Sequence, residues 1–116
     1  MKENDLQKRL FKFAVDVIKA VRKLPKGSEY MIISRQLIKS ATSTGANYDE
    51  AQAAVSKADF ANKIGISLKE IRESDYWIRL IQAITERQND WIILSNESQE
   101  LMKILGSIYS KTSVPR

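Results

Sequence analysis

Residues 57–85, KADFANKIGISLKEIRESDYWIRLIQAIT, decide the fold class of this chain. No proline interrupts the stretch, and its apolar residues recur every three or four positions, which is the spacing of one face of an α-helix. Polar Ser67, Ser74 and Asp75 fall on that face too, and the pattern predicts a helix over residues 57–87. The remaining members of the face are Phe60, Ile64, Leu68, Ile71, Ile78, Ile81 and Thr85.

Three further segments have the same periodicity and predict helices at residues 4–23, 29–54 and 90–111. Leu24-Pro25-Lys26-Gly27-Ser28 separates the first two, since Pro disfavours helix at the residue before it and Ser28 is suited to cap the next helix. The core faces are predicted as Leu6, Leu10, Phe13, Ala14, Val17, Val21 and Leu24; Tyr30, Ile33, Leu37, Ala41, Thr44, Tyr48, Ala51 and Val55; and Leu94, Leu101, Ile104, Leu105 and Ile108.

The connections between these segments are short, and no stretch has the alternation of a β-strand. Short connections make consecutive helices antiparallel neighbours. The sequence therefore predicts an all-α fold, an antiparallel up-down four-helix bundle, with residues 1–116 forming a single domain.

The composition excludes most catalytic chemistry. The chain has no His and no Cys, which rules out Ser-His and Cys-His nucleophiles and ordinary zinc sites. It has four Gly and contains neither GxxxxGK[ST] nor GxGxxG, the two phosphate-binding fingerprints. We expect a protein that is not an enzyme and that uses no cofactor and no metal.

The expected compartment is the cytoplasm. The first residues, MKENDLQKRL, lack the apolar segment of a signal peptide, and no apolar run approaches the roughly 18 residues of a membrane span. The absence of Cys is compatible with a reducing compartment. No membrane partner is expected.

Two predicted helices carry more apolar surface than one bundle core needs. A helix that is apolar on two faces must bury both, and aromatic residues dominate interface energetics. We therefore predict a homo-oligomer with Trp77 as the main anchor; single exposed apolar residues at the bundle edge are the alternative. The candidate interface residues are Phe11, Val15, Ile18, Ile66, Trp77, Leu80 and Ile84.

Positive charge is concentrated near the start of the chain. Residues 1–39 hold ten Lys and Arg against four acids, whereas residues 40–90 hold six against eight. Most of the first helix's cations fall within a wedge of about 100° opposite its core face, the pattern of a surface that binds phosphate backbone. The alternative is a solvated face without a ligand. The candidate nucleic-acid-binding residues are Lys8, Lys12, Lys19, Arg22, Lys23 and Lys26.

Polar residues also lie near the middle of the second and third helices. The absence of His argues against a di-metal carboxylate site, so Asn47 and Glu50 are expected to satisfy groups across a helix interface. The small residues between Ala41 and Ala46 predict close packing against another helix.

Two segments resemble those of a bacterial four-helix-bundle family encoded in intervening sequences of 23S ribosomal RNA genes. Residues 36–50 resemble the family's SxxxNxxE segment, and residues 66–78, ISLKEIRESDYWI, are similar to its second signature, SLKEARESxYWL. One departure is Tyr48-Asp49-Glu50-Ala51, where the family commonly has an apolar residue and Ala before the Glu and Gly after it. The matching positions are Ser43, Asn47, Glu50, Glu70, Arg72, Glu73, Tyr76 and Trp77.

The resemblance implies a pentameric ring and assigns no activity. The accessory variability determinants of diversity-generating retroelements resemble the family in fold, present a basic surface to nucleic acid and partner a reverse transcriptase. Three hypotheses follow: an oligomer that binds RNA or DNA backbone, alone or as an accessory to another protein; a structural or protein-interaction scaffold with incidental charge; and an enzyme that uses Glu50, Glu70 or Glu73.

Overall fold

The structure, a computed structural model, describes residues 4–86 and 89–112. Those residues form four α-helices, each packed against the next in the chain, with α1 also packed against α4. The predicted all-α four-helix fold is confirmed, and each helix end that the structure describes lies within two residues of its predicted position, except the end of α3, predicted at the undescribed residue 87. The helices are α1 Asp5–Val21, α2 Ser28–Gln52, α3 Lys57–Ile84 and α4 Asn89–Thr112.

Two helix starts are set by side-chain caps. Asn4 Oδ1 accepts from the Gln7 amide at 2.8 Å, and Gln7 Oε1 accepts from the Asn4 amide at 2.8 Å, forming a reciprocal capping box. Ser56 Oγ accepts from the Asp59 amide at 3.0 Å and caps α3. These bonds satisfy backbone donors that would otherwise have no partner at a helix start.

The start of α2 differs from expectation. Gly27 occupies the cap position and supplies no side-chain hydrogen bond, while Ser28 is already the first helical residue. The prediction that Ser28 caps α2 was wrong by one position, because the turn after Pro25 is shorter than assumed.

The residues of the predicted core faces are buried or half-buried, with one exception. Val55 is 93% exposed, because α2 ends at Gln52 and Val55 lies in the connection to α3. Trp91 was missed and is buried at the first turn of α4, where it precedes the periodic run that identified that helix. The most deeply buried side chains include Leu10, Phe13, Val17, Leu37, Ile64, Ile71, Ile78, Ile81, Leu101 and Leu105.

Small hydroxyl side chains bring α2 and α3 together over the most extensive helix contact of the bundle. Ser40 Oγ and Ser74 Oγ are 2.7 Å apart, and Ser67 Oγ donates to the Thr44 carbonyl oxygen at 2.7 Å. All four residues are fully buried. Each hydroxyl has a partner, so polar groups are accommodated in the core without an unsatisfied donor.

The predicted run of small residues on α2 is also a packing feature. A Cβ added at Gly45 would lie at an ordinary contact distance, 3.6 Å, from Leu10 Cβ of α1, so α1 and α2 are closely packed at this position. On the opposite side of the bundle, buried Asp75 of α3 accepts from Ser98 Oγ of α4 at 2.8 Å and from Arg79 Nε at 3.1 Å. Polar contacts and small residues thus connect all the helices to their neighbours.

We expect Ser40→Leu to destabilise the fold and Ser40→Ala to be tolerated. A leucine at this buried position must displace Ser74, and overpacking of this kind costs about 1–3 kcal/mol. The Ala variant leaves Ser74 bonded to the Glu70 carbonyl and should cost about 1 kcal/mol or less. Urea unfolding followed by far-ultraviolet circular dichroism measures both, and equal midpoints would contradict the close α2–α3 packing.

Candidate nucleic-acid interface

The predicted basic residues all lie exposed, on the outer side of α1 or in the turn that follows it. Because Leu10, Phe13 and Val17 direct the opposite side of α1 into the core, these cations project away from the bundle. Lys8 and Lys19 are separated by about 16 Å along the helix axis, at 1.5 Å per residue, and Arg22, Lys23 and Lys26 follow at or beyond the helix end. We name this surface the basic face; it comprises Lys8, Lys12, Lys19, Arg22, Lys23 and Lys26.

Two residues of the basic face have carboxylate partners. Lys12 pairs with Asp16 one turn along α1, and this hydrogen bond raises the pKa of Lys12. Lys23 Nζ lies 3.2 Å from Asp90 Oδ2 of α4. Within residues 4–86 and 89–112, the other four cations of the basic face form no ion pair. Their charge is therefore uncompensated by contact with an acid.

The side of α1 that faces α4 is bordered by acidic groups. Arg9 donates from Nε and from a terminal nitrogen to the two carboxylate oxygens of Glu97, at 3.0 and 2.8 Å, and this hydrogen bonding raises the pKa of Arg9. Asp16, Glu97 and Glu100 line a groove between α1 and α4 whose apolar lining includes Ile93. Arg9 and Lys12 line the same groove, so its charges are mixed, whereas the outer side of α1 carries cations without a described acid partner.

The first predicted apolar group lies among these cations. Phe11 is 68% exposed, whereas Val15 and Ile18 are half-buried. On the helix surface, Lys8 and Val15 are the neighbours of Phe11, at three positions before and four after it. Phe11, predicted as a subunit contact, is thus exposed on the side of α1 that carries Lys8.

The second apolar group lies on the outer side of α3. Ile84 is 42% exposed, and the other three members are half-buried against the core or its edge. Ile32 of α2, 62% exposed, adds to this side and was missed. Ile32 precedes Glu50 by eighteen residues, or five helical turns, so the two residues lie on the same side of α2. Glu50 pairs with Lys63 of α3, and this side of α2 is therefore the one next to α3. We name the α3 apolar patch Ile66, Trp77, Leu80 and Ile84.

The residues of the first family segment have structural partners. Glu50 Oε1 lies 3.0 Å from Lys63 Nζ, which confirms that Glu50 meets a counter-charge across the α2–α3 interface. Asn47 differs from expectation, because its Nδ2 donates to the Ser43 carbonyl oxygen of the same helix at 2.9 Å. The Asn side chain thus closes a contact within α2 and does not bridge two helices.

The residues of the second segment organise the surface of α3. Trp77 Nε1 donates to Glu73 Oε2 at 3.1 Å, and the Tyr76 ring meets Trp77 edge to face at 5.0 Å between centroids. The Arg79 guanidinium lies over Tyr76, 5.7 Å from the ring centroid. The Glu70 carbonyl accepts the Ser74 hydroxyl, and Arg72 is exposed. These contacts hold the Trp77 ring in a defined orientation.

The described part of the chain contains no group of three or more acidic residues arranged to hold a metal ion. Over the same residues, none of the helices combines the length and the apolar character needed to cross a membrane.

We expect the triple variant Lys8→Gln, Lys19→Gln and Arg22→Gln to fold normally. These side chains are exposed and make no ion pair with any described residue, so their removal should change the free energy of unfolding by less than about 1 kcal/mol. By contrast, Leu101→Ala empties a fully buried position and should cost about 2–5 kcal/mol. Thermal unfolding compares the two, and a large loss in the Gln variant would show that these cations stabilise the bundle.

Comparisons with known proteins assign the family. A solved structure of a protein with unknown function from the S23 ribosomal protein family of Bacteroides thetaiotaomicron VPI-5482 superimposes with a TM-score of 0.80 and 35% sequence identity. The match covers 90% of this chain and 97% of that one. No curated protein matches. The sequence profile of the 23S rRNA-intervening sequence proteins matches residues 2–107. The chain therefore belongs to the family of 23S rRNA-intervening sequence proteins.

Proposed function

We propose that this protein is a non-enzymatic homo-oligomer that binds the phosphate backbone of RNA or DNA through the basic face of α1. The observation that carries the proposal is the exposure of Lys8, Lys19, Arg22 and Lys26 without a described carboxylate partner. Such cations replace counterions on a polyanion, and the released counterions make binding favourable and dependent on salt.

The distribution of charge around α1 favours a phosphate backbone as the ligand of the basic face. On the α4 side of α1, Glu97 pairs with Arg9 and Asp90 pairs with Lys23. The outer side of α1 therefore retains a strip of positive charge about 20 Å long, the axial rise from Lys8 to Arg22. A helix surface of this kind reads the spacing of phosphates and carries no base-specific donor pattern.

Self-association would multiply this positive surface. The α3 apolar patch and Ile32 offer apolar side chains on one side of the bundle, with Trp77 oriented by Glu73 and Tyr76. Aromatic anchors of this kind dominate subunit interfaces. Copies arranged about a symmetry axis present several basic faces, and avidity then exceeds the affinity of a single face. The pentameric ring implied by the resemblance is the assembly we propose.

The family name adds a second line of support. The matching family takes its name from sequences that intervene in 23S ribosomal RNA, and the similar solved protein is named for a ribosomal protein family. Both names refer to ribosomal components or their RNA, which makes RNA the first ligand to test on the basic face. A nucleic-acid-associated protein, such as a reverse transcriptase, is the kind of protein partner that we propose.

The alternative function is a protein-interaction scaffold. It is favoured by the groove between α1 and α4, where Arg9, Lys12, Asp16 and Glu97 alternate in sign around an apolar lining. Mixed charge around an apolar strip fits a protein surface better than a polyanion. Absence of nucleic-acid binding at low salt would favour this function.

We expect the wild-type protein to bind labelled polynucleotides with an affinity that falls steeply with salt. Each phosphate contact contributes a slope of about 0.7 for single strands and 0.9 for duplex DNA. The triple variant Lys8→Gln, Lys19→Gln and Arg22→Gln should lower both affinity and slope. Fluorescence anisotropy over a salt series measures both quantities.

The matched control is Lys57→Gln, Lys103→Gln and Lys111→Gln. It removes the same net charge from exposed residues of α3 and α4. If the binding site is the basic face, this control retains most of the wild-type affinity. Equal losses in the two triple variants would show that net charge alone drives binding and would contradict the assignment.

We also expect the protein to be oligomeric and Ile84→Lys to reduce its mass. Ile84 is partly exposed in one chain, so a charge there opposes a subunit contact while leaving the bundle folded. Ile92→Lys is the control, since Ile92 is 46% exposed on α4, outside the α3 apolar patch. Light scattering after size exclusion gives the masses. A monomeric wild type, or a mass unchanged by Ile84→Lys, would refute this interface.

A further inference from the structure

An exposed aromatic side chain, Phe11, lies on the same side of α1 as the basic face. Phe11 is 68% exposed, a large apolar exposure for a residue on a helix whose Leu10 and Phe13 are 1% exposed. Within residues 4–86 and 89–112, the Phe11 ring makes no stacking contact with another aromatic ring and no cation–π contact. The Phe11 side chain is therefore open to solvent, and Lys8 occupies a neighbouring position on the helix surface.

We propose that Phe11 is a stacking platform for an unpaired base, so that the ligand of the basic face is single-stranded nucleic acid. This inference rests on the proposed function and names its substrate class. Proteins that bind single strands combine cations that follow the backbone with exposed aromatic rings on which bases stack. In a duplex the base faces are already stacked on each other and cannot reach such a ring.

The order of residues along α1 suits a ligand whose phosphates contact lysines and whose base contacts Phe11. Lys8 and Lys12 lie one turn apart, with Phe11 between them in the sequence and turned towards the α2 side, where Leu10 meets Gly45. Val15, half-buried one turn after Phe11, extends the apolar surface, and Lys19 follows at the next turn. A strand whose phosphates contact the lysines can thus turn a base onto the ring. Two described acids are bonded near this point: Asp16 pairs with Lys12, and Asp49 Oδ1 accepts from Gln7 Nε2 at 3.1 Å.

The test separates stacking from charge with three ligands of equal length. They are a thymidine or uridine single strand, a strand of the same phosphate count made of abasic sites, and a duplex. Wild-type protein should bind the base-containing strand about 5-fold or more tighter than the abasic strand, the effect of stacking one base. Phe11→Ala should abolish this preference and leave the abasic affinity unchanged, while Phe11→Tyr should retain it. Val15→Ala is the matched control, because it removes apolar surface from the same side without removing a ring.

Each outcome bears on one proposal or the other. Equal losses for the base-containing and abasic strands in Phe11→Ala, or no loss for either, would overturn stacking. A change of oligomeric mass in Phe11→Ala would also overturn it, since Phe11 would then be a subunit contact. If the Lys8, Lys19 and Arg22 variant loses binding while Phe11→Ala does not, phosphate binding by the basic face is supported and base stacking on Phe11 is refuted. If the wild type binds none of the ligands, the proposed function itself fails.

Discussion

The close contact of α2 with α3 is the constraint on which the rest of the structure depends. Ser40, Thr44, Ser67 and Ser74 are small enough for the two backbones to approach, and their hydroxyls bond across or along the helices. A buried hydroxyl without a partner would cost free energy, so the pairing also selects one register of α3 on α2. That register aligns Tyr30 with the end of α3, where Tyr30 Oη donates to the Ile84 carbonyl oxygen at 2.9 Å.

α4 and α1 are attached to the α2–α3 pair by different kinds of contact. α4 is joined to α3 through a buried carboxylate, Asp75, which accepts from Ser98. α1 is held by an apolar stripe, by its approach to Gly45 and by surface pairs such as Arg9 with Glu97. The side of α1 opposite that stripe, with Lys8, Phe11, Lys12 and Lys19, faces solvent. A helix attached by one narrow face can carry function on the remainder without disturbing the core.

The same geometry separates the two surfaces proposed to act. The basic face and Phe11 lie on α1. The α3 apolar patch lies on α3, which packs against α2 and α4 and does not contact α1 in the described part of the chain. Self-association through α3 would therefore leave the cations of α1 accessible. Carboxylates lie along the α1–α4 groove, so the positive charge of α1 is least compensated on the outer side of the helix.

Periodicity by itself determined the helices, their approximate ends and most of the core, because the 3.6-residue repeat of buried positions is a local property of the sequence. It also placed the cations on one side of α1. The tertiary structure alone decided which of them retain uncompensated charge, since Lys23 meets Asp90 across sixty-seven positions of chain. It likewise decided the fate of the surplus apolar residues: Phe11 emerged exposed and Trp77 half-buried, although both were assigned to one interface. Val55 and Trp91 were misjudged at helix ends, where burial depends on how far a neighbouring helix extends, and no local repeat encodes that distance.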